Sequence, residues 1–306
     1  MNEQLRPAAD SHTPAPGRVV VGTDGSPASR AAVELAADEA WSRGTSLHVL
    51  TVTEPARGLD LSAVLRLRRT SRLDAEAVLA GGVVAARSRC PGLEVTGAVV
   101  PASDDADPDR AVRLREELEG CALLVVGPRG RREVRAFAMG TTSGVLVALS
   151  SCPVMVAPAA PSVAPVGSPP ASGVRPVVAC VDVRRPLPVL AAAAQEAGTR
   201  ARPLVVVHVA DGREPVDEVR ARLLDLARKV VPATTSIEVR VVSGTVVQRV
   251  LEEAREASVL VVGSRGTLAL AGLALGSVSH EVLRASPVPV LVARAAQDRT
   301  TSGSPS

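Results

Sequence analysis

Short apolar stretches alternate with amphipathic stretches along most of the 306-residue chain. The first apolar stretch, RVVVG, precedes PASRAAVELAADEAWSRG, whose helical spacing of apolar residues predicts a helix ending at Gly44. Further apolar stretches follow at LHVLTV, LEVTGAVV, ALLVVG and CPVMVAP, separated by helical patterns. Near-continuous apolar strands are typical of parallel sheets covered on both faces. The pattern therefore predicts an α/β fold with a doubly wound, five-stranded parallel sheet.

The same order of elements begins again near residue 175, with PVVACVDV, PLVVVHVA, SIEVRVVSG, SVLVVG and SPVPVLVAR as its apolar stretches. The sequence between the two halves is rich in Pro, Ala and Ser, which is typical of a linker. We predict domains at 17–158 and 175–294, a linker at 159–174, and disordered tails at 1–16 and 295–306. We expect the two last strands to pair within the chain as a pseudo-dimer, because an apolar edge strand promotes aggregation.

Both halves contain one glycine motif, Gly-x2-Gly-x9-Gly-Ser/Thr, directly after the fourth predicted strand. Its residues are Gly127, Gly130, Gly140 and Thr141 in the first half, and Gly263, Gly266, Gly276 and Ser277 in the second. In open parallel sheets, ligands bind beyond the carboxyl ends of the strands. Glycines allow backbone amides to approach an anion, and a following helix N-terminus offers further donors. The motif suits a di- or triphosphate, and a tight turn before a helix is the structural alternative.

Composition excludes several classes of nucleotide-binding and nucleic-acid-binding protein. Lys229 is the only lysine, so the Gly-Lys-Ser/Thr sequence of a P-loop NTPase is missing, and its position does not suit a protein kinase. The net charge is only +3, and Trp41 and Phe137 are the only aromatic residues, so aromatic platforms for stacking nucleic-acid bases are not available. Two arginine clusters, either solvated faces or anion patches, lie at Arg66, Arg68, Arg69 and Arg72 and at Arg131, Arg132 and Arg135.

The remaining reactive residue types show no metal-binding or catalytic spacing. The cysteines are far apart and are expected in the core: Cys90, Cys121, Cys152 and Cys180. One histidine occurs in the second strand of each half, His48 and His208, and we interpret both as structural. An acidic loop, either a helix cap or a cation site, contains Asp104, Asp105, Asp107 and Asp109.

With these motifs, the sequence resembles the universal stress protein family in its tandem form, over about residues 17–158 and 175–294. The resemblance rests on the glycine motif, on Asp24 in VGTDGS after the first strand, and on Pro153 and Val154 in the last strand of the first half. It implies two adenine nucleotide alpha hydrolase-like domains that bind ATP, with Mg²⁺ as the accompanying ion.

The resemblance also implies site residues. In the first half these are Gly22, Asp24 and Val49 toward the nucleoside, and Gly127, Arg129, Gly130, Gly140, Thr141 and Thr142 toward the phosphates. In the second half they are Asp182, Gly263, Ser264, Arg265, Gly266, Gly276, Ser277 and Val278. The second half departs from the pattern in its first loop, VDVRRP, where Val183, Arg184 and Arg185 replace Gly-Ser. This departure leaves nucleoside binding by the second half open.

We therefore expect a cytoplasmic ATP-binding regulator or sensor of a stress or dormancy response. The start of the sequence lacks a signal-peptide pattern, and no run reaches the roughly 18 apolar residues of a membrane helix. We expect an unknown protein partner and a possible homodimer through the last strands, with no membrane or nucleic-acid partner. No catalytic Ser-His-Asp or Cys-His arrangement is evident, and VGTDGS differs from the Ser-Gly-Gly-x-Asp-Ser loop of related pyrophosphatase-type enzymes. The alternatives are a slow ATP-hydrolysing enzyme and a nucleotide-free scaffold.

Overall fold

A computed structural model describes residues 17–53, 61–100, 108–127, 143, 146–147, 149–158, 174–264, 269–270, 273–274 and 277–293. The first half contains β1 (Arg18–Gly22), α1 (Pro27–Ser42), β2 (Leu47–Val52), α2 (Leu61–Arg89), β3 (Val95–Val100), α3 (Pro108–Glu117), β4 (Cys121–Val126) and β5 (Val154–Val156). The second half contains β6 (Val177–Cys180), α4 (Leu187–Arg200), β7 (Leu204–Ala210), α5 (Val216–Val230), β8 (Ile237–Ser243), α6 (Val246–Ala254), β9 (Val259–Gly263), β10 (Ala269–Leu270), β11 (Leu273–Ala274), α7 (Ser277–Ala285) and β12 (Val290–Ala293).

The two halves build one continuous sheet. Ten of the described strands form it in the order β3-β2-β1-β4-β5-β12-β9-β6-β7-β8. Neighbouring strands are parallel except at the centre, where β5 and β12 pair antiparallel and Met155 lies opposite Leu291. This confirms the prediction of two doubly wound units joined through their last strands. The limits of the predicted domains stay a prediction, and the tails and the linker up to residue 173 lie outside the described residues.

Alternating residues of each strand face two separate cores. Val19 and Val21 of β1 belong to one core, which also contains buried residues of α1, α2, α4 and α5. Val20 belongs to the other core, together with buried residues of α3, α6 and α7. Because side chains of a strand point alternately to opposite faces, apolar residues at consecutive positions require helices on both sides. The cores of both halves are built mostly from Val, Leu and Ala.

Four charged side chains connect α1 to α4, three of them buried and Arg200 18% exposed, and we call them the Glu–Arg cluster: Glu39, Arg43, Glu196 and Arg200. In each half the carboxylate lies 3.2 Å from the arginine four residues later. Between the halves, Arg43 donates to Glu196, and Arg200 donates to Glu39. The side chains of Glu39 and Glu196 are only 1% and 4% exposed. The cluster therefore joins the halves through a symmetric and nearly dry set of ion pairs.

Candidate functional site

The loop between β1 and α1 carries the first-strand aspartate of the first half. The backbone N–H of Ser26 donates to Asp24 Oδ1 at 3.0 Å, and Ser26 Oγ accepts from the N–H of Ser29 at 3.2 Å. Ser26 is thus the N-cap of α1, followed by Pro27 at the first helical position. Gly25 has φ +76°, which an L side chain rarely adopts. These hydrogen bonds fix the carboxylate of Asp24 at the carboxyl end of β1.

The ionisation of Asp24 depends on the same hydrogen bonds. Burial alone raises the pKa of Asp24, but hydrogen bonds from Ser26 and Ser29 outweigh it and hold the pKa below its ordinary value. The carboxylate therefore stays negative at neutral pH. An ionised carboxylate accepts hydrogen bonds only, so Asp24 suits a ligand that presents donors such as hydroxyl groups.

The other predicted residues of the first half lie in different environments. Gly22 is buried at the end of β1, and Gly127 is buried directly after the neighbouring β4. A Cβ on Gly127 would lie 3.0 Å from the carbonyl oxygen of Ala28, so this glycine allows α1 to approach closely. Val49 is fully buried in the core. Arg129, Gly130, Gly140, Thr141 and Thr142 lie outside the described residues.

In the second half, a cavity of about 390 Å³ lies at the carboxyl ends of β6, β7 and β9, beside α6 and α7. Four residues predicted from the sequence line it: Asp182, Gly263, Ser264 and Val278. Apolar walls come mainly from valines, including Val189, Val207, Val246 and Val250. Small-molecule sites commonly have this composition, with apolar walls and few polar groups. Arg265, Gly266 and Gly276 lie outside the described residues, and Ser277 is the first residue of α7.

The loop after β6 resembles its counterpart in the first half despite its two arginines. The N–H of Arg184 donates to Asp182 Oδ1 at 2.8 Å, as Ser26 does to Asp24. Arg185 lines the cavity without filling it. The replacement of Gly-Ser by Val-Arg-Arg therefore leaves a cavity beside the aspartate and adds a positive charge to its wall.

One described element, α7, borders the cavity from the side of the glycine motif. The start of α7 contributes Val278 and Ser279, and a helix N-terminus provides backbone donors for anions. Within the motif, Ala269–Leu270 and Leu273–Ala274 form a two-stranded antiparallel pair, which the sequence pattern did not predict. A Cβ on Gly263 would lie 3.3 Å from one atom, Val189 Cγ2, so this position is less crowded than Gly127.

The two histidines are not equivalent. Val19 lies opposite Leu47, and its counterpart Val177 lies opposite Leu204. By this register His48 corresponds to Val205, whereas His208 corresponds to Thr51. The histidines are three positions apart in their strands and therefore face opposite sides of the sheet.

Their surroundings differ accordingly. His48 is 5% exposed, its Nδ1 lies 2.7 Å from Thr96 Oγ1, and its Nε2 lies 2.9 Å from Glu117 Oε2. Burial, assisted by the charge of Arg18, lowers the pKa of His48. His208 instead lines the cavity, and its Nδ1 lies 3.0 Å from the carbonyl oxygen of Val181. Interpreting His208 as purely structural therefore missed a residue of the candidate site, and its place at the carboxyl end of β7 was the available signal.

The remaining sequence candidates bear less on the site. Cys90 and Cys152 are buried, and Cys121 and Cys180 are partly buried. Cys180 lines the cavity, and burial raises the pKa of its thiol to about 12, so the thiol is neutral. No three His, Cys, Asp or Glu side chains within the described ranges converge as metal ligands. The side chains of the acidic loop and of both arginine clusters are not among those that the structure describes. In the part of the chain that the structure describes, no helix is long and apolar enough to cross a membrane.

Comparison with known proteins identifies the family. The model of the universal stress protein family matches residues 16–158 and 173–294. The universal stress protein Rv1996 of Mycobacterium tuberculosis is 30% identical over 313 residues, covering 92% of this chain and 96% of the relative. The protein therefore belongs to the universal stress protein family, in its tandem form.

Solved structures support the same fold. A universal stress protein from Archaeoglobus fulgidus aligns with a TM-score of 0.63 at 21% identity, covering 90% of this chain and 98% of the other. A putative universal stress protein from Pseudomonas aeruginosa aligns with a TM-score of 0.51 at 18% identity, covering 91% and 93%. At identities this low, the similarity is evidence for a shared fold alone.

Proposed function

We propose that the protein binds ATP together with Mg²⁺ at the carboxyl edge of the sheet in each half. In this proposal it is a cytoplasmic regulator of a stress response, and bound nucleotide changes its conformation or its choice of protein partner. The observation that carries the proposal is the second-half cavity, which is lined by Asp182, Gly263, Ser264 and Val278. These residues come from three separate segments that the glycine motif and the family resemblance had singled out.

The size and lining of the cavity suit the nucleoside part of the ligand. Its volume of about 390 Å³ lies near the lower end of the range for small-molecule sites, roughly 300–1,000 Å³. Valine side chains offer apolar contacts to a base, and the carboxylate of Asp182 is an acceptor for ribose hydroxyl groups. The phosphates would then extend toward the start of α7 and the glycine motif, where backbone amides and Arg185 favour negative charge.

The continuous sheet supports a regulatory role. β9 ends at the cavity and pairs with β12, which pairs with β5, and β5 in turn pairs with β4 beside Gly127. The two proposed nucleotide sites are thus connected through adjacent strands. A shift of β9 or β12 on binding would be transmitted to the other half, which is how two sites on one rigid element become coupled.

Titration calorimetry of the nucleotide-free, full-length protein with ATP and Mg²⁺ tests the proposal through matched variants. Asp24→Ala and Asp182→Ala each remove the first-strand carboxylate of one half. We expect each variant to bind ATP at least about tenfold more weakly at one of the two sites, the one in the half that carries the substitution. The reason is that a hydrogen bond to a charged group contributes about 1.5–3 kcal/mol.

Asp211→Ala is the matched control. Asp211 accepts from the N–H of Arg213 at 3.1 Å in the same kind of turn, at the end of β7, but it does not line the cavity. We expect wild-type binding for this variant. Equal effects of Asp182→Ala and Asp211→Ala would contradict the assignment of the site. Turnover of radiolabelled ATP separates the regulator from the slow enzyme, and a chain that binds no nucleotide would be a scaffold.

A further inference from the structure

Some of the polar side chains that line the second-half cavity offer hydrogen-bond acceptors to a ligand. Ser279 Oγ donates its proton to the carbonyl oxygen of Gly263 at 3.1 Å. Asp182 carries a carboxylate, which only accepts. Two of the polar side chains in the wall therefore offer lone pairs to a ligand rather than protons. Arg185 is a donor, and it lies in the loop that carries the two arginines.

His208 follows the same pattern. A carbonyl oxygen only accepts hydrogen bonds, so the 3.0 Å contact with Val181 O requires the proton on Nδ1. In the neutral ring Nε2 then carries a lone pair. The structure gives Nε2 no hydrogen-bond partner among the described residues, and the ring lines the cavity. The neutral form of His208 thus presents an acceptor, Nε2, at the carboxyl end of β7.

The first half differs at the corresponding position. Thr51 occupies it, 3% exposed, and its Oγ1 has no hydrogen-bond partner within the described part of the chain. Both halves therefore place a polar atom at the same point of their second strand. A hydroxyl group both donates and accepts, whereas neutral His208 with Nδ1 engaged can only accept at Nε2.

We infer that His208 selects the base in the second-half site, and that it favours a purine with a 6-amino group over one with a 6-oxo group. An amino group donates to Nε2, whereas a 6-oxo group would place two acceptors against each other. The first-half site, with Thr51, discriminates less between the two. This inference rests on the proposed function, because it specifies the base of the nucleotide proposed above.

ATP and ITP test the inference, because they carry the same ribose and phosphates and differ only in the purine, which has a 6-amino group and an unprotonated N1 in ATP but a 6-oxo group and an N1–H in ITP. Calorimetry in the full-length Asp24→Ala variant isolates the second-half site. We expect ATP to bind about tenfold more tightly than ITP, since binding of ITP would leave a buried acceptor without a partner. His208→Leu should bring the ratio close to one. In His208→Gln the amide can rotate to donate or accept, so ATP binding should persist while the preference disappears.

The outcomes separate the inference from the proposed function. If neither nucleotide binds at the second-half site, both are wrong for this half. If ATP and ITP bind equally well in the presence of His208, the selectivity role is wrong and the nucleotide site remains. A tenfold preference that survives His208→Leu would also overturn the inference. Thr51→Leu in the Asp182→Ala variant is the corresponding measurement on the first half, where we expect a ratio near one before and after the change.

Discussion

Replacing Glu39 with glutamine removes one of the four charges of the Glu–Arg cluster with little change of shape. In the native chain two carboxylates balance two guanidinium groups, and Arg43 and Glu39 are 6% and 1% exposed. Glu39→Gln leaves Arg43 and Arg200 with a single carboxylate, that of Glu196. An uncompensated positive charge then lies between the halves, where little water can reach it.

The expected cost follows from this burial. Removing one partner of a buried ion pair typically costs about 3–5 kcal/mol, because the remaining charge is left unpaired. Glutamine keeps an acceptor oxygen for one arginine, so we expect about 3 kcal/mol for Glu39→Gln. Burial raises the pKa of Glu39 although Arg200 and Arg43 oppose that shift, so desolvation of this carboxylate is substantial.

Urea-induced unfolding at pH 7, followed by circular dichroism, measures the change against an exposed control. Arg89 donates two 2.8 Å hydrogen bonds to Asp38, but both side chains are about two-fifths exposed. Asp38→Asn should therefore cost no more than about 1 kcal/mol. Equal losses for Glu39→Gln and Asp38→Asn would refute the reasoning.

A double variant tests the charge argument separately. Glu39→Met with Arg200→Met removes one charge of each sign and restores a neutral cluster. Apolar replacement of both partners of a buried pair is often neutral, so we expect this variant to be more stable than Glu39→Gln. If the double variant is the less stable of the two, hydrogen bonding rather than charge balance dominates the cluster.

Two further predictions concern the β1 and β4 ends of the first half. Because hydrogen bonds hold the pKa of Asp24 below its unfolded value, Asp24 stabilises the fold above about pH 4 and loses this contribution as the pH falls. Asp24→Asn should thus lower the free energy of unfolding more at pH 7 than at pH 2. Gly127→Ala should cost about 1–3 kcal/mol, because its Cβ would meet backbone atoms of Ala28 at 3.0 Å and 3.2 Å. Gly263→Ala should be close to neutral, since only the side chain of Val189 must move.

Urea titrations check both sets of variants. A loss for Asp24→Asn that is the same at both pH values would contradict the assigned role of its hydrogen bonds. For the glycines, Gly263→Ala is the control for Gly127→Ala. Equal losses of unfolding free energy in the two variants would show that the close approach of α1 is not the reason for a glycine at position 127.

The sheet could be predicted well from the sequence, because short apolar and amphipathic segments define it and their order occurs twice along the chain. Two rounds of apolar strands and amphipathic helices define the doubly wound topology. The apolar last strands predict that these strands pair, and the structure adds the register, with Met155 opposite Leu291. The Glu–Arg cluster could not be predicted in this way. Glu39 and Arg43 have the spacing of an exposed helical pair, and their burial depends on Glu196 and Arg200 in the other half.

The candidate site, too, could be predicted only in part from the sequence. Asp182 and Gly263 were predictable because a motif marks them after their strands. His208 was harder to predict. Its place near the end of the second strand was the available signal, but the shift of three positions that puts the two histidines on opposite faces of the sheet is evident only from the strand register. The β10–β11 pair was also missed, since two-residue strands carry no periodicity.

The most direct test of the central claim is the number of ATP molecules that the wild-type protein binds. The purified full-length protein is stripped of nucleotide and titrated with ATP and Mg²⁺ in a calorimeter, and mass spectrometry examines the unstripped protein for bound nucleotide. We predict two ATP molecules per chain, one for each half of the sheet. No heat of binding, with no nucleotide carried through purification, would contradict the account and leave a scaffold protein.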